Sequence, residues 1–96
     1  MTDYNLPPAR LIPLGKLFIT SNACEVLSHN DILRALRRHA HGDWGDLDAE
    51  DRRSNDLASM NGDRLLSAYR SKEDRKFWII TEWDRSATTV LLPEDY

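Results

Sequence analysis

The last third of the chain most constrains the fold, because it holds three strand-like segments joined by short polar turns. Residues 64–70, 76–82 and 87–92 are rich in apolar and β-branched side chains, and residues 71–75 and 84–86 separate them. A turn of a few residues joins antiparallel strands, whereas a parallel connection needs about a dozen residues or more. The sequence therefore predicts a C-terminal three-stranded antiparallel meander.

The middle strand of this meander predicts covering layers on both faces of the sheet. Four apolar residues follow one another in it, from Phe77 to Ile80, so apolar side chains point to both sides. Helices from the first half of the chain are expected on one side. The N-terminal segment or a second copy of the chain is expected on the other side.

The first half predicts one short strand and two to three helices. The strand is placed at residues 15–19, after the interruptions at Pro13 and Gly15. One helix is expected at residues 22–28, since Thr20, Ser21 and Asn22 are suitable N-caps, and another begins after Asn30 or Asp31 and ends near His39. Their expected inward residues are Ala23, Val26 and Leu27 in the first, and Ile32, Leu33, Ala35 and Leu36 in the second.

A third helix is predicted between an acidic start and an Asn-Gly end. Asp46 and Asp48 are both possible caps, acidic residues crowd the first turn, and Gly62 can take the left-handed conformation that ends a helix. Its expected buried side chains are Ser54, Leu57, Ala58 and Met60. Together these elements give an α+β domain over residues 11–96, with the meander packed on the helices and an extended arm at residues 1–10.

Length and charge exclude several classes of function. A chain of 96 residues is enough for one domain, and its net charge of −3 gives no general attraction to nucleic acid, so direct nucleic-acid binding is not expected. No segment approaches the roughly 18 apolar residues of a membrane span, and the start of the chain lacks a signal peptide. We expect a cytoplasmic protein that does not contact membranes.

The single cysteine, Cys24, is expected to be a buried small apolar residue.

The segment from His39 to Asn55 is the most distinctive part of the chain. Its possible metal ligands His39, His41 and Asp43 match no established zinc spacing, and its alternating carboxylates lack the glycine turn of a calcium loop. Helix capping explains the carboxylates better, so no metal and no cofactor is expected. Trp44, between two glycines, is either folded onto the core or exposed as an anchor for a partner.

Three separate matches make the chain resemble a known family. Residues 42–51 (GDWGDLDAED), 64–69 (RLLSAY) and 78–82 (WIITE) with 84–93 (DRSATTVLLP) are similar to small bacterial proteins from plasmids and integrated mobile elements. These are usually labelled "plasmid-related protein" or "type I restriction endonuclease subunit M", and the resemblance covers about residues 11–96. It implies kinship but assigns no activity to any residue.

The methylase label does not fit the sequence. An adenine methyltransferase needs a glycine-rich cofactor turn and an Asn-Pro-Pro-aromatic loop. The nearest string here is residues 5–9, Asn-Leu-Pro-Pro-Ala, which has an inserted leucine and no aromatic residue. A chain of this length also has no room for the cofactor-binding sheet.

Two functional hypotheses follow from the sequence. The first is a non-enzymatic protein–protein interaction module of a mobile element that modulates or inhibits a host defence system, restriction or CRISPR, and that is able to dimerise through its sheet. Its partner would be a host or element-encoded protein, contacted by Asp43, Trp44, Asp46, Asp48 and Glu50. The alternative is a small ribonuclease-like toxin or other nucleic-acid-processing enzyme that uses His41, Glu82 and Arg85, with His39 and Arg70 as further candidates.

Overall fold

The computed structural model describes residues 11–96 and confirms an α+β domain. The predicted arm at residues 1–10 lies outside the described residues. In chain order the elements are β1 (Lys16–Ile19), α1 (Ser21–Val26), α2 (His29–Ala40), α3 (Ala49–Asn61), β2 (Leu65–Arg70), β3 (Lys76–Thr81), β4 (Ala87–Leu91) and a 3₁₀ turn (Pro93–Asp95).

One four-stranded sheet has the strand order β1-β4-β3-β2. The β2, β3 and β4 strands pair antiparallel, as the short turns predict. The N-terminal strand joins them parallel to β4, with Lys16 opposite Ala87 and Ile19 opposite Val90. This parallel pair is possible because all three helices lie between β1 and β4 in the chain, which leaves ample length for the crossover.

Side-chain caps fix the helix boundaries. The side chains of Thr20, Ser28 and Asp48 accept backbone N–H groups at the starts of α1, α2 and α3. For α2 the expected cap, Asn30 or Asp31, is wrong, since the helix begins earlier and both residues lie in its first turn. Gly62 ends α3 in the left-handed conformation, with φ of 75°, as predicted.

The main core lies between α1, α2 and one face of the sheet. Alternate residues of the strands point into it, including Tyr69, Phe77, Ile79 and Val90. From the helices and the flanking segments it receives Ala23, Leu27, Ile32, Ala35, Leu36, Leu92 and the partly buried Leu14. This core fixes α2, and with it the direction of the loop that follows.

Several predicted core residues are instead exposed. Leu57 is 53% exposed and Met60 is 80% exposed, so only Ala58 of the predicted α3 stripe, joined by Asn55, is buried. The reason is that α3 lies beside the edge of β2 and has no broad sheet face to cover. The exposed residues also include Val26, Leu33 and Cys24, all expected to be buried.

The outer edge of β2 is closed by two sets of backbone contacts. The Asn55 side chain accepts from the Leu66 N–H and donates to the Leu66 carbonyl. Further along, the Ala68 N–H donates to the Trp44 carbonyl at 3.1 Å, and the Asp46 N–H donates to the Ala68 carbonyl at 2.7 Å. The loop between α2 and α3 therefore acts as a short extra strand at this edge.

The C-terminal residues cover part of the second face of the sheet. The Tyr96 ring lies edge-on to Trp78, with 5.8 Å between ring centroids, and Arg64 donates to the Tyr96 hydroxyl at 2.9 Å. The prediction that the N-terminal segment covers this face is wrong for residues 11–15. Ile12 and Leu14 pack on the helix side of the sheet. Within residues 11–96, no helix has the length and apolar content to cross a bilayer.

Candidate functional site: the acidic loop

The loop that joins α2 to α3, residues 41–48, is here called the acidic loop, and Asp43 makes its first anchor. The Asp43 carboxylate accepts from Arg38 Nε at 2.7 Å and from Nη2 at 3.2 Å, and its backbone carbonyl accepts from the Tyr69 hydroxyl at 2.6 Å. The hydrogen bond from Arg38 lowers the pKa of Asp43. This carboxylate is therefore engaged within the fold.

The second anchor is Trp44, which the structure places in the core. Its side chain is 5% exposed, packs with Ala58 and Leu65, and donates from Nε1 to Asp56 at 2.9 Å. Its ring also meets the edge of His39, with centroids 5.6 Å apart. Of the two interpretations of Trp44, the one that folds it onto the core is confirmed. The interpretation as an exposed partner anchor is wrong, because the indole is buried and its N–H donates within the chain.

Gly45 makes the third anchor, and only glycine fits there. Its φ is 78°, and a Cβ at this position would lie 1.9 Å from the Ala68 carbonyl oxygen and 2.8 Å from the Tyr69 ring. The missing side chain thus allows the loop backbone to approach β2 closely enough to form the bridge between Gly45 and Ala68.

The remaining carboxylates point outward at the start of α3. The Asp46 carboxylate lies 3.6 Å from Arg70 Nε. Both side chains are exposed, so this ion pair contributes little to stability. Asp48 caps α3 by accepting from the Asp51 N–H at 2.8 Å, while the Glu50 and Asp51 side chains are exposed. We call Asp46, Asp48, Glu50 and Asp51 the acidic surface. It contains three of the five predicted contact residues, and whether they touch a partner stays a prediction.

Behind the loop, His39 lies at the centre of a buried polar network that the sequence analysis missed. Its Nδ1 lies 2.6 Å from Ser67 Oγ, and its Nε2 lies 2.8 Å from Thr81 Oγ1. Thr81 Oγ1 also lies 2.7 Å from Thr88 Oγ1. All four side chains of this network are fully buried. Polar residues at inward positions of β2, β3 and β4 were the signal that could have revealed this network.

The network assigns the protons of His39. Thr88 donates to the Leu14 carbonyl, which can only accept, so Thr81 must donate to Thr88. Thr81 then accepts from His39 Nε2–H. A neutral imidazole carries a single N–H, so in the neutral state His39 is the Nε2–H tautomer and its Nδ1 accepts from the Ser67 hydroxyl. Burial, together with the charge of Arg85, lowers its pKa from 6.5 to about 4.

The alternative catalytic residues are only partly brought together. His41 and Arg85 line one cleft of about 610 Å³, and Glu82 does not. Arg85 donates to the carbonyls of Asp63 at 2.6 Å and Ala58 at 3.2 Å, and also to the Glu82 carbonyl. Its guanidinium thus caps the end of α3. His41 Nδ1 lies 2.7 Å from the Arg37 carbonyl, which accepts its proton.

Among residues 11–96, no group of three or more His, Cys, Asp or Glu side chains is placed to hold a metal ion. Kinship with the plasmid-related proteins stays a prediction from the three sequence matches, and function is inferred from the contacts described above. Comparison of the chain with protein-family models, with curated proteins and with solved structures found no match.

Proposed function

We propose that the chain is a non-enzymatic protein–protein interaction module whose contact region is the acidic surface. One observation carries the proposal: the loop backbone is held by Trp44, Gly45 and Asp46, while the neighbouring carboxylates face solvent. Such anchoring exceeds what a connection between two helices requires. A rigid surface loses less conformational entropy on binding than a mobile loop, which favours affinity.

The chemistry of the surface favours a basic partner. Four carboxylates lie within the six residues from Asp46 to Asp51, and among residues 11–96 the one ion pair that reaches them joins Asp46 to Arg70, which is also paired with Asp74. Arg52 lies nearby, but it donates to the Gly45 carbonyl. Complementary charge accelerates association and excludes partners of the same sign. A protein with a basic nucleic-acid-binding groove fits this surface. The genomic setting implied by the resemblance makes a restriction or CRISPR component of the host the proposed partner.

In this proposal, the residues of the predicted contact set have separate roles. Trp44 and Asp43 hold the loop in place through the core and through Arg38. Asp46, Asp48 and Glu50 contact the partner, together with Asp51. Trp44 is consequently a positioning residue, and its replacement would disturb the fold together with binding.

Charge neutralisation tests the proposal without removing the anchors. The test variant carries Asp46→Asn, Asp48→Asn, Glu50→Gln and Asp51→Asn, because Asn caps a helix about as well as Asp. We expect at least about tenfold less partner recovered from host extract than with the unchanged chain, and the difference should shrink at high salt. The measurement is quantitative affinity capture followed by mass spectrometry.

A matched variant controls for net charge. Glu25→Gln, Asp63→Asn, Glu73→Gln and Glu94→Gln remove four exposed carboxylates elsewhere, and this variant should keep the partner. If the two fourfold variants captured equal amounts of the partner, the proposal would be contradicted.

A second candidate, a nuclease, is favoured by the single cleft that His41 and Arg85 share. The four carbonyl acceptors of Arg85 weigh against it, because they occupy guanidinium N–H groups that would otherwise hold a phosphate. RNA degradation by the purified chain, abolished by His41→Ala, would support the nuclease against the interaction module.

A further inference from the structure

The two edges of the sheet differ in what covers their backbone groups. The β2 edge is closed by the acidic loop and by Asn55, as described above. The other edge strand is β1, and it pairs only with β4 among the elements of residues 11–96. An uncovered edge offers a row of free backbone donors and acceptors, and proteins usually protect it with charge, proline or a covering segment.

Apolar side chains surround the β1 edge, which no other element of residues 11–96 covers. Leu17, Phe18 and Ile19 are 54%, 52% and 42% exposed, and Leu33 of α2 next to them is 61% exposed. Leu17, Ile19 and Leu33 line a shallow, largely apolar groove of about 240 Å³. Three consecutive exposed apolar residues on a free edge strand are unusual for a surface that stays in water.

The backbone of β1 has donors available for another strand. The Lys16 N–H donates to the Ser86 carbonyl and the Thr20 N–H donates to the Val90 carbonyl, both at 3.0 Å. Because successive residues of a strand turn to opposite sides, the backbone groups of Leu17 and Ile19 point away from β4. Each of these two residues can form a pair of hydrogen bonds with one added strand.

We propose that β1 pairs antiparallel with β1 of a second copy of this chain, with Phe18 on the two-fold axis. Leu17 of each copy then exchanges both backbone hydrogen bonds with Ile19 of the other. The two Phe18 side chains meet on one face of the joined sheet, and the two apolar grooves adjoin on the other. The result is a continuous eight-stranded sheet across two chains.

Charge complementarity favours a second copy over an unrelated strand. In this register, Lys16 lies opposite Thr20 of the second copy. The Thr20 hydroxyl donates to Asp95 at 2.6 Å, and Asn22 donates to the same carboxylate at 2.8 Å. Each Lys16, which forms no ion pair in the part of the chain that the structure describes, would therefore meet a fixed carboxylate of the other copy.

Pairing through β1 is separate from the proposed function, because it uses a different surface. The acidic loop lies at the β2 edge, and β1 is at the opposite edge of the sheet. Pairing through β1 leaves the acidic surface of both copies free. A dimer would present two acidic surfaces at a fixed spacing, which raises the apparent affinity for a partner with two basic sites.

Sedimentation of the full chain over a concentration series tests the pairing. The unchanged chain should form dimers, and Phe18→Lys should shift it to monomer, because two lysines would then face each other on the axis. Trp83→Lys replaces another exposed aromatic residue in the turn after β3, and this control should remain dimeric. A chain that stays monomeric up to about millimolar concentration would overturn the inference.

Cross-linking tests the register. In a Cys24→Ser background, Phe18→Cys should form an interchain disulfide under mild oxidation, since facing Cα atoms of such a pair lie about 4.5 Å apart. Lys16→Cys should not, because the two Lys16 positions would be about 13 Å apart. A dimer in which Lys16→Cys cross-links and Phe18→Cys does not would contradict this pairing. Loss of dimers would remove only the gain from two-site binding and would leave the contact made by each single acidic surface in place, so the two proposals fail independently.

Discussion

The Gly45→Ala variant is expected to lower the free energy of unfolding by about 3 kcal/mol or more, because the added methyl has no space. Its Cβ would lie 1.9 Å from the Ala68 carbonyl oxygen, which is backbone and cannot turn aside as a flexible side chain would. Relief requires the loop to leave β2, and this breaks the hydrogen bonds of Trp44 and Asp46 with Ala68. Urea unfolding followed by tryptophan fluorescence measures the loss.

Gly62→Ala is the matched control for this effect. Gly62 has nearly the same backbone conformation, with φ of 75°, yet nothing lies within 4 Å of its Cβ position. Alanine there should lower the stability by only about 1 kcal/mol, from left-handed strain alone. If Gly45→Ala and Gly62→Ala lowered the free energy of unfolding by the same amount, close packing of the acidic loop on β2 would contribute nothing to stability.

The second large effect is the pH dependence that His39 gives to stability. Because its pKa falls from 6.5 to about 4 on folding, the unfolded chain binds the proton more tightly. The contribution of neutral His39 is fully present above pH 6.5 and is lost as the pH falls from 6.5 to about 4. This shift corresponds to a loss of about 3 kcal/mol, measurable by urea unfolding at a series of pH values.

Two variants separate His39 from the carboxylates that also titrate in acid. His39→Gln keeps polar atoms near Ser67 and Thr81 but removes the titration, so the slope of stability against pH between 6.5 and 4 should flatten. His41→Gln replaces an exposed histidine two residues further along the chain and is the matched control. Because the slope of stability against pH is compared, a general loss of stability in either variant does not affect the result. An unchanged slope in His39→Gln would contradict a buried neutral imidazole.

Local sequence signals predicted the elements of this fold well. The turns at residues 71–75 and 84–86 are short enough to require antiparallel pairing, and that pairing is what forms. Asp48 and Gly62 mark the ends of α3 because a capping oxygen and a left-handed residue act within a few positions of their place in the chain.

The errors come from contacts between residues distant in the chain. Helical periodicity placed Leu57 and Met60 inside, but periodicity assumes a broad face to cover, and α3 instead lies beside the edge of β2. The same limit left two interpretations of Trp44 open, because its burial depends on contacts with Ala58 and Leu65. The network around His39 joins α2 to β2 and β3, so the inward polar residues of those strands give only an indirect sign of it.

The acidic loop is bonded to the edge of the sheet, and this contact holds its carboxylates in place. Hydrogen exchange of single amides, followed by NMR, tests it most directly. The Asp46 N–H donates to Ala68 and the Ala68 N–H donates to Trp44, so both amides should exchange nearly as slowly as that of Ile79 in the middle of the sheet. Exchange of Asp46 at the rate of an unprotected peptide, while Ile79 stays protected, would show a mobile linker and contradict the claim.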